Sequence, residues 1–132
     1  MSEDLIGSYN QAEYYIDGFE NPIRIGRGHV GVDELLDRYQ CESWCFITAW
    51  NPMSVELDWE ENQERNQRLK AELAGFEIFE GEGRDPNGEW TPEQSFLVIG
   101  IVLDKAVALG KKYDQAAILF GEKGEAAELI VL

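Results

Sequence analysis

Polar side chains gather just after the apolar run 44–50, and they are the residues of this chain best suited to chemistry. Asn51 ends the run, and Asn62, Arg65 and Asn66 lie on the helix predicted to follow it. Because ligands of open α/β sheets bind where strands end, this position predicts a small-ligand site. Later segments add further polar groups to the same region. The predicted ligand-binding residues are Trp50, Asn51, Asn62, Arg65, Asn66, Trp90 and Gln115, with Glu93 and Asp85 as candidate catalytic carboxylates.

These residue types suit a ligand that carries a phosphate or carboxylate and a polar ring, such as a nucleotide or a modified base. Arg65 would pair with the anion, Asn62 and Asn66 would orient the polar part, and a tryptophan would stack on the ring. If a reaction takes place, Glu93 or Asp85 would be its base. The sequence contains no recognisable nucleophile–base pair, so it predicts no particular reaction.

Helical spacing predicts that Asn62 and Asn66 point inward, because they share a stripe with Trp59 and two leucines further along the helix. A buried amide without a partner costs about 1–3 kcal/mol, so both side chains need partners. Two hypotheses stay open: they tie down neighbouring loops, or they contact a ligand. For Arg65 the alternative to an anion contact is a surface ion pair with Glu61, four residues earlier.

Metal and cofactor signals are weak. Residues 26–31 match G-x-G-x-x-G, but the strand before them is very short and no acidic residue closes the next strand to hold a ribose, so no dinucleotide cofactor is predicted. Cys41 and Cys45 are the only cysteines and His29 is the only histidine, too few ligands for a zinc site. The two thiols are predicted to be reduced and structural. We therefore expect no metal and no cofactor.

The net charge of -15 limits the partners of the chain. Such a field repels nucleic acid and anionic membranes and attracts basic proteins. The competing functional hypothesis is therefore an acidic inhibitor of a basic protein such as a nuclease, and a third is a structural accessory domain. No apolar run approaches the roughly 20 residues that span a bilayer. The acidic N-terminus lacks the basic region of a signal peptide, so a cytoplasmic location is expected.

The periodicity predicts an α/β fold, borderline α+β, in which residues 1–132 form a single domain. The predicted order is ββ-α-β-α-β-β-α-β-β, a mixed β-sheet with about three helices packed on it. The predicted strands are residues 12–19, 23–25, 44–50, 76–79, 95–101, 116–120 and 129–132. The predicted helices are residues 33–39, 55–74 and 103–112, and Ser54 is the predicted N-cap of the second helix. Residues 44–50 are apolar almost throughout, which favours a central strand covered on both faces.

Several motifs in fixed order carry a resemblance to a known family. They are Thr48-Ala-Trp-Asn-Pro-Met-Ser54, Asn62-x-x-Arg65-Asn66-x-x-Leu69, Gly81-x-Gly83-x-Asp85-Pro-x-Gly88-x-Trp90, Glu93-x-Ser95-Phe-Leu-Val98, and Leu109-Gly110 with Gln115-x-Ala117-Ile118. On these residues the chain resembles DUF3293, a bacterial family of unknown function, over about residues 44–121. The resemblance implies that these polar positions belong together, and it implies no activity.

Overall fold

The computed structural model describes residues 2–132 and contains four α-helices and six β-strands. The helices are α1 (Glu3–Gln11), α2 (Val30–Arg38), α3 (Trp59–Glu72) and α4 (Leu103–Lys112). The strands are β1 (Glu13–Ile16), β2 (Ser43–Ile47), β3 (Glu77–Arg84), β4 (Glu93–Ile99), β5 (Ala117–Glu122) and β6 (Glu128–Val131). A short 3-10 turn, Pro52–Ser54, lies between β2 and α3.

All six strands form one sheet in the order β1-β3-β4-β2-β5-β6, and every pair of neighbouring strands is antiparallel. The predicted fold class, a mixed α/β domain, is confirmed. The sheet itself lies at the α+β side of that prediction, because within residues 2–132 the only parallel pairing is an isolated bridge between Ile25 and Ala127. Side-chain periodicity repeats in the same way along parallel and antiparallel strands, so it could not settle the strand directions.

The central strand β2 shows why the apolar run is continuous. Trp44 and Phe46 pack on one face of the sheet, against the core that α2 helps to form, whereas Cys45 and Ile47 pack on the other, against the core beneath α3 and α4. Because successive side chains of a strand point to opposite faces, a strand covered on both faces has no polar positions. The prediction of a central strand covered on both faces is confirmed.

One predicted strand is absent from the sheet of the described residues, and one observed helix was not predicted. Residues 23–25 form only isolated bridges, Tyr14 with Ile23 and Ile25 with Ala127, instead of a strand. Conversely, α1 was not predicted, although Ser2 caps it by accepting a hydrogen bond from the Leu5 backbone N–H. The sequence of this helix lacks the strong apolar stripe by which longer helices are recognised, and in the structure none of its residues is fully buried. Periodicity therefore gave little sign of it.

Helix α3 begins four residues later than predicted. The N-cap is Asp58, whose side chain accepts a hydrogen bond from the Glu61 backbone N–H, and not Ser54. The predicted inward stripe is nevertheless correct from Asn62 onward, since Asn62 and Asn66 are buried. Trp59 was expected to point inward and is 64% exposed, because it is the first residue of the helix.

Candidate functional site

A cleft of about 600 Å³ opens at one end of the sheet. Its floor is built from the C-terminal ends of β2 and β3 and the N-terminal ends of β4 and β5. These ends meet at one edge because neighbouring antiparallel strands run in opposite directions. Helix α1 forms one wall, and the β2–α3 and β3–β4 loops form the others. This volume suits a small molecule, since ligand pockets measure roughly 300–1,000 Å³.

Aromatic rings and polar side chains line this cleft together. The lining rings are Tyr9, Tyr14, Phe46, Trp50, Trp59 and Trp90. The lining amides are Asn51, Asn62 and Gln115, and the lining carboxylates are Glu56, Glu89 and Glu93. Such a mixture of apolar walls and a few placed polar groups is typical of small-molecule sites.

Glu93, the first residue of β4, is the carboxylate most affected by the cleft. Burial raises the pKa of its side chain to about 7, and a weak hydrogen bond from Asn51 acts in the opposite direction. That bond joins Asn51 Nδ2 to Glu93 Oε1 at 3.5 Å. Glu93 therefore exchanges a proton near neutral pH, which is the property required of a general acid or base.

Two tyrosines lie close enough to Glu93 to feel its charge. Burial raises the pKa of Tyr9, and the negative charge of Glu93 raises it further. The pKa of Tyr14 is raised by burial and then by the charges of Tyr9 and Glu93. The hydroxyl of Tyr14 donates to the Tyr9 carbonyl at 2.9 Å, which fastens the end of α1 to β1. Both phenols therefore stay neutral around Glu93.

The loop between β2 and α3 carries backbone strain at the mouth of the cleft. Asn51, Met53 and Ser54 have φ values of 46°, 49° and 61°, in the left-handed region that residues other than glycine rarely adopt. Such conformations cost on the order of 1–3 kcal/mol each and persist only where the surroundings enforce them. Asn62 of α3 holds Asn51, and the Met53 backbone N–H donates to the Asp114 carbonyl at 2.6 Å.

Asn62 holds the loop at Asn51. Its Oδ1 accepts from the Asn51 backbone N–H at 2.8 Å, and its Nδ2 donates to Asn51 Oδ1 at 2.8 Å and to the Leu57 carbonyl at 3.3 Å. Asn51 Oδ1 also accepts from the Leu57 backbone N–H at 3.0 Å. One buried amide thus closes both ends of the strained loop.

Asn66, one helical turn further on, holds the segment just after β2. Its Oδ1 accepts from the Ala49 backbone N–H at 2.8 Å and from the Thr48 hydroxyl at 3.3 Å, and its Nδ2 donates to the Gln94 carbonyl at 2.8 Å. The side chain is 3% exposed and does not line the cleft. Of the two hypotheses for Asn66, these contacts favour the one in which it ties down loops.

Arg65 joins two loops from the neighbouring face of α3. Its Nε donates to the Ala49 carbonyl at 2.7 Å and its Nη2 to the Tyr113 carbonyl at 2.5 Å. It does not line the cleft, and its bonds go to these carbonyls instead of to Glu61. We call Asn62, Arg65 and Asn66, with the backbone groups that they bind, the anchor network.

Gln115 lies between the anchor network and the cleft. Its Nε2 donates to the carbonyls of Trp50 and Tyr113, both at 3.2 Å. The residue is only 6% exposed and lines the cleft, yet its Oε1 accepts no hydrogen bond from residues 2–132. No buried side-chain polar atom of the described residues lacks a partner, so this oxygen is not sealed from solvent. It therefore keeps unused capacity to accept a hydrogen bond, in a residue that lines the cleft.

The structure brings together most of the predicted site residues. Trp50, Asn51, Asn62, Trp90, Glu93 and Gln115 all line the cleft. Asp85 lies outside it, because its carboxylate caps the β3–β4 turn by accepting from the backbone N–H groups of Asn87 and Glu89.

Most of the other residues that line the cleft were not predicted as site residues. Among them are Tyr9 and Tyr14, the two phenols nearest in effect to Glu93. The spacing of Leu5 and Tyr9, one helical turn apart after a capping Ser2, was the signal that could have located α1 and this wall.

The other sequence signals give no second site. Both cysteines are free, and burial raises the pKa of the Cys45 thiol, which suits a structural role. His29 caps α2 by accepting from the Val32 backbone N–H through Nδ1. Within residues 2–132 no three His, Cys, Asp or Glu side chains cluster so as to hold a metal ion. Over the same range no helix is both long and apolar enough to cross a membrane.

Comparison with known proteins gives one match. The family model described as "Protein of unknown function (DUF3293)" matches residues 47–118. The matched segment contains the whole anchor network and the cleft residues from Ile47 to Ile118, whereas α1 and β1 lie outside it. No curated protein and no solved structure matches the chain.

Proposed function

This chain belongs to the family DUF3293, protein of unknown function, and we propose that its cleft binds a small molecule with a flat polar ring. The observation that carries the proposal is the placement of Glu93 and Gln115 on a floor between aromatic walls. A ring can stack on Trp50 or Trp90, while the carboxylate and the amide oxygen accept hydrogen bonds from its edge.

Concentration of polar groups in a concave cleft favours this proposal over the inhibitor of a basic protein. An inhibitor that imitates nucleic acid would spread its carboxylates over a convex face. Here Glu93 lies inside the cleft, and its pKa of about 7 reflects removal from solvent. We also propose a cytoplasmic location, which agrees with the two free thiols.

Anion recognition by Arg65 is not part of the proposal. Two of its donor groups already bind the carbonyls of Ala49 and Tyr113. In addition, none of the described residues that line the cleft is a lysine or an arginine. We therefore still expect a ligand with a polar ring, as the sequence predicted, but this ligand does not need a phosphate or a carboxylate.

Titration calorimetry with a panel of uncharged nucleobases and nucleosides tests the proposal. We expect at least one of them to bind the wild-type protein and to bind Trp90→Ala about tenfold more weakly, because stacking on an aromatic side chain contributes roughly 1–3 kcal/mol per base. Tyr15→Ala is the matched control, since Tyr15 is also a half-buried aromatic residue but packs against Arg84 outside the cleft. Equal affinities of wild type and Trp90→Ala would contradict the proposed site.

A further inference from the structure

The charges that line the cleft have one sign. Glu56, Glu89 and Glu93 contribute carboxylates, and the described lining residues include no lysine or arginine. The chain as a whole carries a net charge of -15. A concave site lined by one sign of charge concentrates counter-ions, and here these would be cations.

Glu93 has no cationic partner of its own. Its hydrogen bond from Asn51 Nδ2 is long, at 3.5 Å, and no salt bridge among residues 2–132 involves it. Tyr9 from α1 and Tyr14 from β1 feel its charge and stay neutral, and the other titratable groups of the cleft, Glu56 and Glu89, are carboxylates as well. Burying an ionised carboxylate without a partner is costly, so a cation that entered the cleft would relieve that cost.

The remaining cleft groups also suit a positively charged nitrogen. Gln115 is 6% exposed and offers an unpaired Oε1, which can accept from an N–H group but cannot donate to an anion. Trp90 lines the cleft with a half-buried indole ring, and the face of an indole attracts cations by about 0.5–2 kcal/mol. Carboxylate, amide oxygen and aromatic faces come from separate parts of the chain and favour the same ligand charge.

We propose that the cleft selects an organic cation, a protonated amine attached to a flat ring, and that Glu93 is its charge partner. This inference rests on the proposed function, because it names the charge of the ligand that the same cleft would bind. The ring would lie against the tryptophans, and the ammonium group would donate to the Glu93 carboxylate and to Gln115 Oε1.

Three probes of the same shape separate charge from ring binding. Tryptamine, tryptophol and indole-3-acetate share an indole ring and a short side chain that ends in a cation, a neutral hydroxyl and an anion, respectively. At pH 8 we expect tryptamine to bind at least about tenfold more tightly than tryptophol, and indole-3-acetate to bind more weakly than both. Titration calorimetry of the full chain gives the three dissociation constants.

Variants of the carboxylates then locate the effect. Glu93→Gln should weaken tryptamine about tenfold and leave tryptophol unchanged, because it removes the charge and keeps the shape. Glu89→Gln is the matched control, since Glu89 also lines the cleft but is exposed to solvent, where a charge pair is weak. Its tryptamine affinity should change by less than about threefold.

The pH dependence gives an independent test. With a pKa of about 7, Glu93 is mostly protonated at pH 6 and mostly ionised at pH 8. Tryptamine stays protonated over this range, so its affinity for the wild type should rise about fivefold from pH 6 to pH 8, somewhat less than the tenfold effect of complete ionisation. The affinity of Glu93→Gln should stay constant.

Each outcome bears on one of the two proposals. Equal binding of tryptamine and tryptophol would overturn the cation inference and leave the ring-binding site standing. Tighter binding of indole-3-acetate than of tryptamine would also overturn the cation inference, and it would indicate that the cleft prefers an anionic ligand. Failure of all three probes at about 10 mM would overturn the cation inference, and the panel of uncharged nucleosides would then decide on the ring site separately.

Discussion

The anchor network and the cleft are built from similar polar residues, but they differ in how many hydrogen bonds are already made. Asn66 uses both ends of its amide on the backbone of Ala49 and Gln94, and Arg65 binds two carbonyls. In the cleft, Gln115 Oε1 has no donor among the described residues and Glu93 has only one weak bond. Satisfied amides behind the loop therefore serve the fold, whereas unsatisfied acceptors in an open cleft can serve a ligand.

This difference also explains how the cleft keeps its shape. The loop that carries Trp50 and Asn51 adopts left-handed backbone conformations that cost free energy. Asn62, bound to the Asn51 backbone N–H and to the Leu57 carbonyl, holds it in place from α3. The anchor network thus fixes the position of one wall without contributing its own hydrogen-bonding capacity to the ligand.

The largest expected effect is the loss of stability in Asn66→Ala. The substitution leaves the buried Ala49 N–H without a partner and removes one of the two side-chain donors to the Gln94 carbonyl, the other being the Thr48 hydroxyl. Together these losses should lower the free energy of unfolding by about 3 kcal/mol. Urea denaturation measures this value. Gln67→Ala is the control, because Gln67 is an exposed neighbour on the same helix and should change stability by less than about 0.5 kcal/mol. A small loss in Asn66→Ala would show that Asn66 does not anchor the loop.

Arg65→Met comes next, with an expected loss of about 2 kcal/mol. Hydrogen bonds to charged groups contribute roughly 1.5–3 kcal/mol, and Arg65 connects Ala49 and Tyr113 through two of them. Arg68→Met is the matched control, since Arg68 is exposed and pairs with Glu64 within the helix, a contact worth roughly 0.3–0.5 kcal/mol. Thermal and urea melts of the two variants compare them. Similar small losses in both would contradict the role of Arg65 in the anchor network.

The smallest expected effect is a pH-dependent gain of stability in Glu93→Gln. The pKa of Glu93 is about 7 in the folded chain and near 4.5 when unfolded, so between these values the folded state holds the proton more tightly. The free energy of unfolding of the wild type therefore falls as pH rises from about 4.5 to 7, because the unfolded chain releases this proton more readily than the folded chain. Glu93→Gln should gain about 1–2 kcal/mol relative to wild type between pH 5 and pH 8, less than the full shift implies because the cleft admits water. A difference that does not vary with pH would show that Glu93 is not desolvated.

Sequence patterns located the elements of this fold better than they located the partners of its polar side chains. The three- and four-residue spacing placed Asn62 and Asn66 inward correctly, since helical geometry repeats every 3.6 residues whatever surrounds it. The same spacing could not tell whether their partners were loops or a ligand. That choice depends on Ala49, Leu57 and Gln94, which fold beside α3 only in the complete structure.

By itself the sequence determined the central strand, the inward face of α3, the α/β class and the cluster of polar residues that follows the run 44–50. These features follow from local periodicity and from turn residues. Tertiary structure alone decided that the strands are antiparallel, that α1 supplies a wall, and that Arg65 binds carbonyls while Glu93 stays unpaired. The reason is physical: a hydrogen bond or a desolvated charge depends on which atoms lie within about 3 Å, and the chain brings those atoms together from distant positions only when it folds.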